Sequence, residues 1–346
     1  MISKGCEYHN LLLLKNRNRR NWTKLRHLGA KVGTSKAGNN INGWIIVDKP
    51  AGTTSTAVVN KIKRAFGARK AGHAGTLDPS ATGVLAIALG EATKTIPYVT
   101  NREKSYIFEV KFGEATDTDD SEGKIIHRSK MRPSEQDILA TIPLFQGEIQ
   151  QTPPLFSAVK INGKRAYSLA RRGEDFDIAP RSLLVRKLKL EKYIGKSNAV
   201  LALECGKGGY VRAIARDLGL KLGCYGHVKW LRRISSGSFT LSMASSLDEV
   251  LKVSKLKEIS NLIYPLKLGL DTLKHGTCSM TAANKIKNGN CAPVVCTEAK
   301  SGEEIWVSYC EIPIAIGKYQ SGSFFPKKVF NIAKSEFYDN QAISEG

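Results

Sequence analysis

Gly72-His73-Ala74-Gly75-Thr76-Leu77-Asp78-Pro79-Ser80-Ala81-Thr82-Gly83-Val84-Leu85 is the stretch from which the rest of the chain is read. It sets an acid between a glycine-rich segment carrying a histidine and an apolar run that continues to Leu89. Pro79 has no N–H and a fixed φ, so the chain turns at or just after the acid. Small residues on both sides (Ala74, Gly75, Ser80, Ala81, Gly83) would let a bulky group approach the backbone closely. On spacing alone, Asp before Pro is turn chemistry. The other reading is that Asp78 is a reagent, and the surrounding chain has to decide between them.

Upstream, Trp44-Ile45-Ile46-Val47 reads as a buried strand closed by the turn Asp48-Lys49-Pro50-Ala51-Gly52. Thr54 or Ser55 can cap a helix whose Val58, Val59, Ile62, Ala65 and Phe66 share one face, ended by Gly67 at C′. Downstream, Leu85–Leu89 is a second buried run. Tyr106, Phe108, Val110 and Phe112 then alternate with Ile107, Glu109 and Lys111, the period of a half-buried strand. Asp117-Thr118-Asp119-Asp120-Ser121-Glu122-Gly123 lacks the Gly and Glu positions of a calcium loop and reads as a polar hairpin connection. Ser134–Asp137 starts a helix carrying Ile138, Leu139 and Ile142.

From Thr152 to Arg186 the texture becomes basic, with Phe156, Tyr167 and Phe176 spaced among Lys160, Lys164, Arg165, Arg171, Arg172, Arg181 and Arg186. Such interleaving suits a surface that holds phosphates and stacks on bases. Leu183–Tyr193 and Ala199–Glu204 read as paired strands. Gly206-Lys207-Gly208-Gly209-Tyr210 then leads into a helix with Val211, Ile214, Ala215 and Leu218 on one face. Arg212 falls in its first turn, where a cation gains nothing from the helix dipole, so an acidic partner is expected beside it. Residues 242–272 have helical texture, and 275–335 form a small β-rich unit with turns at Asn288-Gly289 and Ser301-Gly302.

The charge balance points to a polyanion. There are 53 Lys and Arg against 31 Asp and Glu, a net charge of +22, and at 42% hydrophobic the chain can bury a sizeable core. Residues 1–40 hold nine Lys or Arg and a single acid, Glu7, and read as a flexible basic arm or an organellar transit peptide. The seven cysteines include no C-x-x-C pair and the six histidines are scattered, which argues against a zinc site or a disulfide framework and for a reducing compartment. No apolar run approaches the ~18 residues that span a bilayer.

Several stretches together resemble the TruB family of tRNA pseudouridine synthases. Asn42-Gly43 through Lys49-Pro50 looks like its first motif, and Gly72–Lys94 is similar to its catalytic motif. Lys104-Ser105-Tyr106, the Thr118-Asp119 hairpin, Phe156–Lys160, Lys207–Arg212 and Trp230-Leu231-Arg232-Arg233 follow in the family's order. The resemblance covers roughly residues 42–240. The sequence departs from the family pattern at Ala74, Thr76 and Gly209, where Thr, Ala and Thr are common.

The resemblance implies an α+β fold: a mixed, mostly antiparallel sheet of the pseudouridine synthase type, with an RNA-binding insertion and a small C-terminal PUA-like β domain. The expected units are the arm (1–40), a catalytic domain (41–272, with the insertion at about 152–186) and a small C-terminal RNA-binding domain (273–335). It implies isomerisation of uridine 55 in the T-loop of tRNA, with no metal, cofactor or membrane, by a monomeric cytoplasmic enzyme. Asp78 would be the nucleophile, attacking C1′ or C6, and Arg212 its partner, with bidentate geometry available. Tyr106 would stack on the flipped uracil and help remove the C5 proton, although a neutral phenol is a poor base. Tyr210 and Leu231 would close the pocket, and His73 would fill the vacated stack. Lys49 and Lys94 are read as scaffold or phosphate contacts. The competing reading is a non-catalytic or RNA-guided RNA-binding protein on the same scaffold.

Overall fold

The computed structural model describes residues 39–253 and 256–332, so nearly all of the basic arm lies outside the described residues. A ten-stranded sheet dominates. Along its main path the order is Ser245–Ser246, Gly43–Lys49, Thr82–Leu89, Gly226–Ser236, Lys104–Phe112, Asn198–Cys205, Arg181–Ile194 and Gly147–Gln151. Ala71–His73 pairs beside Thr82–Leu89, and Phe239–Thr240 beside Gly226–Ser236. Among the described residues, two strand pairings of this sheet are parallel and the rest antiparallel: the parallel ones join Gly43–Lys49 with Ser245–Ser246, and Gly226–Ser236 with Thr82–Leu89. The fold is α+β with a mixed, mostly antiparallel sheet, as expected.

The apolar runs of the central strands follow from burial on both faces. Ile45, Val47, Leu85 and Ile87 join a core with Val58 and Ile62 of the helix Ser55–Ala65 and with Val211, Ile214 and Leu218 of the helix Val211–Lys221. The alternate residues Trp44, Ile46, Val84 and Ala86 join a second core with Ile305, Val307, Ile314 and Phe324 of the C-terminal unit. That unit is a five-stranded sheet in the order Lys274–Thr277, Glu304–Tyr309, Ile312–Gln320, Ser323–Val329, Ala292–Pro293. Its helix Met280–Lys287 was not foreseen from the sequence. The unit shares a continuous core with the sheet rather than hanging from it.

Local signals are mostly realised. Thr54 caps its helix by accepting from the Ala57 N–H at 3.1 Å, and Gly67 follows the C-cap with φ +58°. Ser134 makes a capping box with Asp137. Ala65 and Leu139, expected on apolar faces, are instead exposed. Glu109, expected on a wet strand face, is buried and takes a hydrogen bond from Lys229 Nζ at 2.8 Å and another from the Trp230 indole. No helix among the described residues is long and apolar enough to cross a membrane.

Candidate active site

Asp78 sits on the loop joining Ala71–His73 to Thr82–Leu89, at the wall of a cavity of about 960 Å³. Three buried side chains from elsewhere hold this loop by its backbone. Ser55 Oγ donates to the Leu77 carbonyl and accepts from the Leu77 N–H, both at 2.9 Å. Lys49 Nζ donates to the Pro79 carbonyl at 3.0 Å and also to those of Pro50 and Thr53. Arg233 donates to the Gly75 and Thr76 carbonyls at 3.2 and 3.3 Å and to the Val84 carbonyl at 2.7 Å. The Asp78 carbonyl itself accepts from the Ala81 N–H at 3.1 Å. The turn is real, and it leaves the carboxylate about one-third exposed to the cavity.

Arg212 reaches Asp78 from the first turn of the helix Val211–Lys221, which explains a cation at that end. Its Nε donates to Asp78 Oδ2 at 2.9 Å. The pairing is not bidentate: Nη1 goes to the Thr118 carbonyl at 2.9 Å and Nη2 to that of Phe156 at 3.1 Å. Asp120 Oδ2 lies 3.8 Å from the same Nε. One buried guanidinium therefore ties the Asp78 loop, the 117–123 hairpin and the segment at Phe156 together, with every edge of its fork occupied. Arg216, one turn on, repeats the arrangement with Asp119 at 3.0 Å and the Thr152 carbonyl at 2.7 Å.

Tyr106 lies near the start of the central strand Lys104–Phe112, directly opposite Leu203 on one side and Arg233 on the other. It lines the cavity, and burial pushes its phenol up to about 12, so the hydroxyl is neutral at physiological pH. That weakens the expectation that it removes a carbon-bound proton and leaves its flat face and hydroxyl as the useful features. Tyr210 is the N-cap of the Arg212 helix; Gln151 fixes its backbone by accepting from the N–H at 2.9 Å and donating to the carbonyl at 3.2 Å. Tyr210 and Leu231 both line the cavity. His73 does not: it stands at the end of its short strand, with Nδ1 buried and without a hydrogen-bond partner among the described residues. Burial, then Arg233, lower its pKa, so the ring is neutral.

The sequence reading named Asp78, Tyr106, Tyr210, Arg212 and Leu231, and the fold brings these five to one cavity. It left Ser55 unassigned beyond a cap and gave Arg233 no role, because their partners are backbone groups. Lys94 proves to be scaffold, with Nζ donating to Glu91 and to the Val329 carbonyl of the C-terminal unit, both at 2.6 Å. Lys104, Arg171, Arg181 and Lys207 add cations to the cavity wall. Among the described residues, no cluster of three or more His, Cys, Asp or Glu is arranged to hold a metal ion.

Residues 63–211 match the family model described as TruB family pseudouridylate synthase (N terminal domain), and residues 212–270 match that of the tRNA pseudouridylate synthase B C-terminal domain. The chain belongs to the TruB family. The tRNA pseudouridine synthase B of Ruegeria pomeroyi is 52% identical over 299 residues, 86% of this chain and 99% of that protein. The Bartonella henselae protein of the same name is 43% identical over 315 residues, 86% of this chain and 99% of its own. Among solved structures, a Cbf5-Nop10-Gar1 complex aligns with a TM-score of 0.67 at 24% identity, covering 85% of this chain and 86% of that one. At that identity it speaks for the fold alone. The TruB models end at residue 270, before the C-terminal β unit begins at Lys274.

Proposed function

We propose that this chain isomerises uridine 55 in the T-loop of tRNA to pseudouridine, with Asp78 as the nucleophile. The observation that carries the reading is the Asp78–Arg212 pair: an exposed carboxylate on a clamped loop, held by a buried arginine, at the wall of a cavity large enough for a nucleotide. The target base must leave its stack to reach Asp78, and Tyr106, Tyr210 and Leu231, which line the cavity, would receive it as two ring faces and an apolar wall. Arg212 holds the carboxylate by its Nε hydrogen bond and so orients it for attack. Attack at C1′ breaks the C1′–N1 bond directly; attack at C6 forms an adduct first. In either case the base turns, C5 joins C1′, the bond to Asp78 breaks and returns the carboxylate, C5 loses one proton and N1 gains one, so no net proton is consumed. His73 would occupy the space the base vacates.

The insertion at about 152–186, within the catalytic domain 41–272, and the C-terminal unit at 273–335 would both grip the RNA. The enzyme would act as a monomer in the cytoplasm, needing no cofactor. A protein that only bound RNA would have no use for an arginine buried against a cavity carboxylate. Asp78→Asn keeps the shape while removing the nucleophile. The variant should bind unmodified tRNA transcript within about three-fold of the native protein but make pseudouridine roughly 10³-fold more slowly or not at all. Native-like turnover by that variant, read by mapping pseudouridine at position 55, would rule the mechanism out.

A further inference from the structure

Arg233 is among the largest fully buried side chains of the protein, at 1% exposure, and its guanidinium donates to three backbone carbonyls. A buried guanidinium is costly unless its donors are used. Here they are used on backbone: the Val84 carbonyl just after the Asp78 loop, and the Gly75 and Thr76 carbonyls just before it. Both ends of the loop therefore hang on one planar fork. The site is built for it, since a Cβ at Gly83 would stand 2.2 Å from the Arg233 carbonyl oxygen. Directly across the strand pair from Arg233 stands Tyr106, so the same side chain borders both the nucleophile's loop and the aromatic ring of the cavity.

We propose that Arg233 is a positioning residue for this reaction: with Ser55, it fixes the Asp78 loop so that the carboxylate meets the flipped nucleotide in attacking geometry. The inference rests on Asp78 being the nucleophile. Arg212 contacts the carboxylate itself; Arg233 holds the loop by its carbonyls. Ser55 holds the loop's middle at Leu77 while Arg233 holds its two ends. Clamps on one short loop are coupled: with Lys49 still holding Pro79, Ser55 fixes Leu77 less firmly once Arg233 is lost. Lysine keeps the charge at 233 but its donors radiate from one nitrogen, whereas the guanidinium spreads its donors over three nitrogens in a fixed planar fork that matches the three carbonyl positions here.

The test is steady-state and single-turnover kinetics on tRNA transcript with Arg233→Lys, Arg233→Ala, Ser55→Ala and Arg233→Lys/Ser55→Ala, each checked for folding by its thermal midpoint. Arg233→Lys should lower kcat by about 10- to 100-fold with KM for tRNA within about three-fold. Adding Ser55→Ala to it should cost much less than Ser55→Ala costs alone. Methylguanidinium at millimolar concentration should restore part of the rate of Arg233→Ala, while sodium at equal ionic strength should not. If Arg233→Ala does not fold, the lysine variant and its cycle with Ser55→Ala still decide. The proposal is overturned if Arg233→Lys keeps native kcat, if it raises KM with kcat intact, or if the two losses simply multiply. Native protein run alongside keeps the two readings apart: no pseudouridine from it would refute the function itself, whereas a native rate with an unaffected Arg233→Lys would refute only the clamp.

Discussion

Lys49 lies wholly buried beneath the turn after Asp78, where its three donors meet three carbonyls at 2.8–3.0 Å. Desolvation outweighs the pull of Asp78 and brings its pKa down from 10.5 to about 8. The folded protein thus releases this proton near pH 8, while the unfolded chain holds it to about 10.5. Between those values the unfolded state carries more protons, so the lysine's contribution to stability grows as pH rises. Compared with Lys49→Met, the native protein should gain unfolding free energy steadily from about pH 8 to 10.5. Urea denaturation of both proteins across that range measures it, and a difference independent of pH would refute the assignment. Arg212 and Lys49 mark the limit of what residue types disclose. A cation in a helix's first turn announces a missing acid, and Asp78 supplies it. A lysine or arginine whose partners are carbonyls leaves no such mark, since every residue has a carbonyl; that is why Lys49 could be read only as scaffold or phosphate contact, and Arg233 received no role.

Elements were legible wherever one local rule governed them. The alternation in Lys104–Phe112, the caps at Thr54 and Ser134 and the apolar runs at Trp44–Val47 and Leu85–Leu89 all became the structures they suggest. Sheet order was not legible from such rules, because the neighbours of a strand are chosen by the whole chain. Glu109 shows the same limit on a smaller scale, buried by Lys229 and Trp230 from another strand. The turn before the Arg212 helix shows how a departure from the family pattern is accommodated. A Cβ on Gly209 would lie 2.7 Å from Cys205 Sγ and 3.1 Å from a Leu183 methyl, both side chains being buried. Restoring the family's residue with Gly209→Thr should therefore destabilise this protein, by about 1–3 kcal/mol as overpacking does. Coupling it to Cys205→Ala should recover part of that loss, because the alanine removes the colliding sulfur. Denaturation midpoints for the two single variants and the double variant test this, and strictly additive losses would show that the collision is not what matters.

At the scale of the whole molecule, the net charge of +22 suits a polyanion substrate, but the fold sorts which cations are available to it. The basic tract at 152–186 looked uniform in sequence and is not. Arg172 is paired with Glu174 at 2.5 Å, and Arg186 takes up Glu103 from a separate segment at 2.6 Å. Arg181 and Lys207, by contrast, are exposed at the cavity wall, facing the space that substrate would enter. A phosphate held by an exposed cation releases a condensed counterion, and each such contact adds about 0.7–0.9 to the slope of log affinity against log salt. Lys207→Ala and Arg181→Ala should each flatten that slope by roughly this amount and weaken tRNA binding at low salt, with kcat at saturating tRNA kept within about two-fold. Arg172→Ala and Arg186→Ala should leave the slope nearly unchanged, since their guanidiniums are already engaged by carboxylates. Binding of the Asp78→Asn protein to labelled tRNA between 50 and 300 mM salt, roughly the range over which such slopes are read, isolates affinity from turnover. If all four substitutions flattened the slope equally, net charge alone would govern capture of the RNA, and the pairing of Arg172 and Arg186 would give way on contact with phosphate.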